Sequence, residues 1–322
     1  MKNINFNTKI TKNELKSKIS MIIIFIVRWS LILAVGYIVL FPLLQMISQS
    51  LMTQDQYTDT SVVWVPKKFS TINFQVAFKT LDYTKTLLWT ISVSVVSALI
   101  EVFTCALTAY GFARFNFKSK KILMFILILS IVIPSQMTII PSYINFSRFD
   151  ILGVMRLLST ITGKDITLNL IDTPLTFYLP SLFSVGLRSG IMIFIYMQFF
   201  KGLPKELEEA SNIDGATSLQ TFFKIILPSS GVVIVSISIL SVIWHWNEYF
   251  LSVMYFSNNP TLSVRLSNLR MYLQSFGIDA KMAVTTGILK AGSLLYIFPV
   301  LLLYLILQRK FIQSIDRVGI VG

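Results

Sequence analysis

Six long apolar runs separated by polar segments organise the chain, at about Met21 to Met46, Thr86 to Ala113, Ile122 to Phe146, Thr176 to Phe200, Ser230 to Val253 and Ala283 to Leu307. Each is long enough to cross a hydrocarbon core of about 30 Å, and none shows the period-two alternation of a half-buried strand. Backbone polar groups in hydrocarbon have to be paired within their own segment, so runs of this length predict helices. The pattern predicts an all-α membrane protein with six transmembrane helices. Residues 1–20 form an N-terminal tail, 21–307 the transmembrane domain and 308–322 a C-terminal tail. An even number of spans puts both termini on one side.

Residues 201–229 depart from the short loops expected between spans. Pro204 suits the start of a helix, Glu206 and Glu208 place negative charge near its positive end, and Gly215 supplies a backbone free to turn, so a first short helix stops near Asp214. Thr217 with Gln220 three residues later fits a capping box for a second helix. Leu219, Phe222, Phe223 and Ile226 then fall on one face, and Pro228 closes the helix. Spacing alone leaves two readings open, a docking element or an amphipathic surface pair without special role.

Charge fixes the orientation expected for these spans. Lys2, Lys9, Lys12, Lys16 and Lys18, then Arg114, Lys118, Lys120 and Lys121, then Lys201, Lys205 and Lys224, then Arg309, Lys310 and Arg317 all lie on the side of the termini. The opposite side carries fewer basic residues over longer loops, so the termini are expected in the cytoplasm of a plasma-membrane protein. The net charge of +13 is scattered over loops with no stripe or reading motif, which points to topology and anionic membrane lipid rather than to nucleic acid. Hydrophobic residues make up 54% of the chain, charged ones 13%, and mean hydropathy is +0.70, which excludes an ordinary soluble domain. The first apolar run is too long for a typical signal peptide and lacks a small-residue cleavage site after it, so it is expected to stay as a span.

Glu209-Ala210-Ser211-Asn212-Ile213-Asp214-Gly215, followed after nine residues by Ile225-Ile226-Leu227-Pro228, resembles the E-A-A loop of the membrane-spanning subunits of binding-protein-dependent ABC importers. Ser211 stands where that pattern has a third small residue, alanine. Further segments are similar to the carbohydrate-uptake branch of these permeases: Ala109-Tyr110-Gly111-Phe112-Ala113-Arg114, Ile133-Pro134-Ser135-Gln136 with Ile140-Pro141, and Trp246-Asn247-Glu248-Tyr249-Phe250. The tail from Gln308 to Gly322 resembles the second permease of maltose-type transporters, although Ser314 to Arg317 depart from the small residues of that pattern.

The resemblance implies the fold of type I ABC importer permeases and a carbohydrate substrate, in particular an oligosaccharide. It implies four kinds of partner: a second homologous permease, a cytoplasmic ABC ATPase dimer, an extracytoplasmic sugar-binding protein and membrane lipid. Glu209, Ala210, Ser211, Asp214, Gly215, Leu227 and Pro228 are the positions it assigns to ATPase coupling. A secondary transporter working without an ATPase is the alternative, and no clear repeat between the two halves speaks for it.

Polar residues inside spans mark a partner, a cavity or a pathway. Glu101, in the second span, has two readings: a group on the translocation path or at a partner permease, or a charge satisfied by neighbouring helices of this subunit. Trp244 to Tyr249 offers stacking faces and hydrogen-bonding groups, as sugar rings require, and equally fits an aromatic belt. Glu101, Pro134, Trp246, Asn247 and Glu248 are therefore the candidate path residues. Pro134 and Pro141 are expected to bend the third span, Gly186 and Gly190 form a weak close-packing pattern, and Arg188 is placed at the outer interface because Pro180 and Gly186 delay the fourth span.

No G-x-x-x-x-G-K-[ST] sequence occurs, so ATP and magnesium are expected on a partner subunit, with no cofactor in this chain. Cys105 is the only cysteine and His245 the only histidine, which rules out an internal disulfide and the usual zinc or iron sets. No Ser/His/Asp or Cys/His arrangement points to an enzyme.

Overall fold

A computed structural model of the protein describes residues 12–319 apart from 63, 151–152, 164–165 and 278–281. The helices are α1 (Lys12–Ser50), α2 (Ile72–Thr80), α3 (Tyr83–Arg114), α4 (Lys120–Val132), α5 (Ile139–Ser147), α6 (Val154–Thr162), α7 (Leu175–Leu182), α8 (Ser189–Gly202), α9 (Glu206–Ile213), α10 (Ser218–Ser229), α11 (Gly231–Trp246), α12 (Phe250–Tyr255), α13 (Leu262–Ser267), α14 (Leu269–Ser275) and α15 (Met282–Gly319). Two isolated β-bridges, Met52 to Phe69 and Phe149 to Leu168, pin long loops. Helix α1 starts at Lys12 and α15 runs on to Gly319, so helix continues beyond the apolar stretches Lys18–Ser50 and Thr285–Arg309. Lys2, Lys9 and residues 320–322 lie outside the described residues.

Among the described residues, Lys18–Ser50, Tyr83–Arg114 and Thr285–Arg309 are each long and apolar enough to cross a membrane. Two bent pairs raise the number to five: Lys120–Val132 with Gln136–Ser147, bent by 100°, and Ser218–Ser229 with Gly231–Trp246, bent by 81°. The first bend falls at Pro134, as expected from sequence. Proline disfavours helical backbone in the residue before it, and Ile133 is extended with ψ 121°.

The fourth expected span, Thr176 to Phe200, is corrected by the structure, which divides it into α7 and α8. Pro180 cannot donate to the helix ladder, and α7 stops two residues later. Ser184 (φ 57°) and Arg188 (φ 60°) then adopt left-handed backbone, which ends any continuous helix through 183–188. The break is sewn to α3 instead: Thr104 Oγ1 donates to the Ser181 carbonyl at 2.7 Å, and the Thr108 and Ser184 hydroxyls pair at 2.9 Å.

The chain falls into two compact units, residues 1–74 with 281–291, and residues 75–280 with 292–322. In the first, buried amides order the loop after α1. Gln56 takes the Lys67 amide at 2.7 Å and donates to the Lys68 carbonyl at 2.8 Å, while Asn73 donates to the Ser50 and Met52 carbonyls at 3.0 and 2.8 Å. Gly287 gives Tyr57 and Asn73 the room to lie against its backbone.

The second unit is built around α3. Ser94, Ser97, Ala98, Glu101, Val102, Cys105, Ala106 and Ala109 are buried and recur at three- and four-residue steps, which places them on one stripe. Small side chains let neighbouring backbones approach, the usual source of helix association where no hydrophobic effect operates. Cys105 is a packing residue in the resulting core, which also holds Tyr110, Tyr196, Phe200, Phe222, Ile226 and Ile237. Leu88, Leu99, Phe103 and Leu107 of α3 are exposed, as lipid-facing positions require.

Gly186 and Gly190 both lie in tight contacts, yet they do not form a shared helix face. A Cβ at Gly186, in the break, would sit 2.8 Å from Glu101 Oε1; one at Gly190, in α8, would sit 2.7 Å from Ser130 Oγ and 2.9 Å from Ile131 Cγ1. Gly190→Leu is therefore expected to cost about 1–3 kcal/mol by overpacking. Gly202→Ala, whose added Cβ meets nothing within 4 Å, should leave stability unchanged. Thermal melting of the purified variants checks the pair, and equal melting temperatures would contradict the packing described.

Candidate functional site

The loop of residues 201–229 folds as two short helices around a glycine turn. Helix α9 carries Glu206, Glu208 and Glu209 in its first turn, where the helix dipole favours acidic groups. Its end is closed by Asp214, whose N–H donates to the Ala210 carbonyl, and by Gly215 at φ 77°, a left-handed conformation that favours glycine. Helix α10 opens with the expected capping box: Thr217 Oγ1 accepts from the Gln220 N–H at 3.4 Å, and Gln220 Oε1 accepts from the Thr217 N–H at 2.8 Å.

One expectation for α10 is corrected. Its apolar positions do not share a face, and residues Phe222–Ile226 form a π-helical turn. Phe222 and Ile226 are buried in the core beside Tyr110, whereas Leu219 and Phe223 are 59% and 54% exposed. Ile213, at the end of α9, is 86% exposed, and Glu209, Ala210, Asp214 and Gly215 around the turn are exposed as well. Pro228 is exposed and Leu227 half-buried.

Ser211 faces the other way. It is buried, and its hydroxyl pairs with that of Thr221 at 2.8 Å, which ties α9 to α10. A second tie was not read from the sequence: Arg114, at the end of α3, holds Glu208 Oε1 with its Nε at 2.7 Å and donates from its guanidinium to the Leu203 carbonyl at 2.9 Å. Both side chains are largely buried. The signal available was a basic residue closing a span and an acidic one in the next loop, but their pairing needs the fold.

Inside the membrane-spanning part, Glu101 is held by side chains of neighbouring helices. Its carboxylate accepts from Ser189 and, at 3.2 Å, from Ser241, and His245 Nε2 lies 3.7 Å away. His245 Nδ1 is fixed at 2.9 Å from the Ser241 carbonyl. All four side chains are buried, so a single knot joins α3, α8 and α11. Such a group, left without donors in this setting, is costly.

A cleft of about 890 Å³ opens between α4, α5, α7, α8 and the 183–188 break. Its hydrogen-bonding lining includes Thr108, Ser130, Gln136, Ser184 and Ser189, and Arg188 is its one charged group among the described residues. Of the sequence-predicted path residues, Pro134 lines this cleft and Glu101 lies behind Ser189. Trp246 is buried against Tyr296, Asn247 Oδ1 accepts from the Tyr296 hydroxyl at 2.7 Å, and Glu248 Oε1 accepts from the Leu251 N–H at 2.9 Å. Those three organise the end of α11 and the start of α12 rather than the cleft.

Residues 102–315 match a protein family described as the binding-protein-dependent transport system inner membrane component. The chain is 31% identical to a probable ABC transporter permease of Pyrococcus horikoshii, over 69% of this chain and 70% of that protein. It is 26% identical to a probable starch degradation products transport system permease of Thermoanaerobacterium thermosulfurigenes, over 80% and 82% of the two chains. Its fold is similar to that of a chain in the crystal structure of a bacterial ABC transporter involved in the import of the acidic polysaccharide alginate. The TM-score is 0.66 at 20% identity, covering 91% of this chain and 98% of the other.

Removing the Ser211 hydroxyl should cost about 0.5–1.5 kcal/mol, the worth of one ordinary hydrogen bond. Thr221 keeps the Thr217 carbonyl as partner at 3.1 Å, so Ser211→Ala and Thr221→Val are expected to be non-additive. A double-mutant cycle in thermal melting reads the coupling. Strict additivity would mean that the two hydroxyls do not hold α9 to α10.

Proposed function

We propose, from the premise that the chain belongs to the family of binding-protein-dependent transport system inner membrane components, that it is a permease subunit of an ATP-driven importer for a carbohydrate. The family makes it a multi-pass membrane protein whose work is transport and whose system includes a binding protein. The carbohydrate reading is supported by the relative that carries starch degradation products and by the resemblance of residues 109–114, 133–141 and 246–250 to sugar permeases.

The observation that carries the proposal is the exposure of three large apolar side chains, Ile213, Leu219 and Phe223, on the two short helices whose turn also exposes Glu209, Ala210, Asp214 and Gly215. Exposed apolar side chains with acidic groups at the same turn suit insertion into a complementary cleft of another protein. On this reading the partner is a cytoplasmic ABC ATPase dimer, which binds ATP and magnesium. Leu227 and Pro228 set where α10 meets α11, and both chain termini face the cytoplasm. Six spans, with the transmembrane domain over 21–307, complete the assignment, with α7 and α8 together as the fourth. A second, related permease forms the other half of the path, and an extracytoplasmic binding protein delivers the sugar.

Movement of the ATPase reaches the membrane helices through three contacts of the loop: Arg114 with Glu208, Ser211 with Thr221, and the buried Phe222 and Ile226. ATP-driven closure of the dimer drags the two short helices, and with them the cytoplasmic ends of α3 and α8. The path then opens toward the binding protein, and hydrolysis resets it.

Gly215→Pro tests the turn. Proline cannot take φ 77° and removes the N–H that Gly215 donates to the Asn212 carbonyl at 3.0 Å. Expected results are loss of ATPase co-purification or at least a tenfold fall in ATP-dependent uptake, with the variant still inserted in the membrane. Normal assembly together with normal uptake would overturn the coupling assignment.

A further inference from the structure

Arg188 has no function in the account above, and its setting is unusual on four counts. It lines the cleft of about 890 Å³, a volume within the roughly 300–1,000 Å³ range of small-molecule sites. No carboxylate among the described residues forms an ion pair with it; Glu248, whose charge reaches it, is engaged by the Leu251 N–H. Its guanidinium carbon stands 5.0 Å from the ring centre of Trp244, which holds one face and leaves the N–H edges open. Its backbone is left-handed at φ 60°, ψ 22°, a conformation glycine or asparagine would take at lower cost.

Arg188 is exposed at this cleft, where its guanidinium is open to a ligand. A cation among apolar helices is costly unless it meets an anion or water in a cavity. Gln136, exposed in the same lining, supplies neutral hydrogen bonds of the kind sugar hydroxyls use, while the Thr108 and Ser184 hydroxyls pair with each other and Ser189 serves Glu101. The arginine supplies what a neutral sugar has no use for: a planar fork matched to a carboxylate.

We infer that this cleft is a substrate site for an acidic saccharide, with Arg188 binding the carboxylate of a uronic acid unit and Trp244 holding the guanidinium in place. The inference rests on the permease reading and narrows its substrate class to anionic carbohydrate. An acidic side chain of the second permease is the competing anion. A fixed ion pair of that kind would leave the sugar-bonding lining of the cleft without a charge to work with.

The test uses the purified complex of this chain with its partner permease and ATPase subunits, without binding protein. Trigalacturonate and its fully methyl-esterified form, equal in shape and differing in charge, are titrated at low salt by calorimetry. The acid is expected to bind at least tenfold more tightly than the ester. Arg188→Gln should bring the ratio close to one without weakening the ester, and Arg188→Lys should retain part of it. Equal binding of acid and ester by the natural complex, binding of neither, or an unchanged ratio in Arg188→Gln overturns the inference. Should Arg188→Gln fail to assemble, the Arg188→Lys ratio decides: the natural value overturns the site, an intermediate one supports it. ATP-dependent uptake with a loaded binding protein separates the two levels of the claim. Uptake of neutral saccharides alone removes the anionic assignment and leaves the permease reading standing, whereas uptake of no saccharide at all removes both.

Discussion

The second unit depends on the close approach of helices to the small-residue stripe of α3. In hydrocarbon, Leu on a helix gains little by leaving lipid for protein, so association rests on packing and on polar contacts. Ser94, Ser97, Ala98, Cys105, Ala106 and Ala109 provide the first, because they let α7, α8 and α11 come within reach of the α3 backbone. Glu101 provides the second. Its carboxylate is satisfied only if Ser189 and Ser241 arrive together, so a packing that is nearly right leaves a buried acid without donors. Gly186 belongs to the same constraint, since any side chain there would meet Glu101 Oε1 at 2.8 Å. One acidic group thus sets the register of three helices and keeps the 183–188 break against α3.

Sequence exposed the parts of this fold that depend on local chemistry. The capping box at Thr217 and Gln220, the stop at Asp214 and Gly215 and the bend at Pro134 follow from side chains acting on their own backbone, and they stand where the residues put them. The division of the fourth span was half visible. Pro180 and Gly186 signalled a disturbance, but the left-handed residues that complete the break are Ser184 and Arg188, types that do not announce it. Hydropathy is blind to such a break because the segment keeps the composition of a span.

The misassigned face of α10 has a similar origin. Four apolar residues within eight positions fit one helical face, but hydropathy does not say which of them the core takes: Phe222 and Ile226 are buried, while Leu219, ahead of the π-turn, and Phe223, within it, are exposed. Contacts remote in sequence, such as Arg114 with Glu208 and Glu101 with Ser241, have no local signature.

The same π-turn decides how firmly the loop is joined to the membrane helices. A loop carried only by Arg114 and Glu208 would rest on one largely buried ion pair, whose Coulombic gain is in large part offset by the desolvation of both charges. Phe222 and Ile226 change the balance. They enter the core alongside Tyr110 and Phe200, and at the aqueous boundary each buried side chain of this size contributes about 1.5–3 kcal/mol. The apolar plug is thus the stronger attachment. The ion pair and the Ser211–Thr221 bond serve to fix the direction in which α9 points. Ile213, on α9, is joined to that plug by the Ser211–Thr221 bond and by the turn at Gly215, so plug and pin together hold α9 in one orientation.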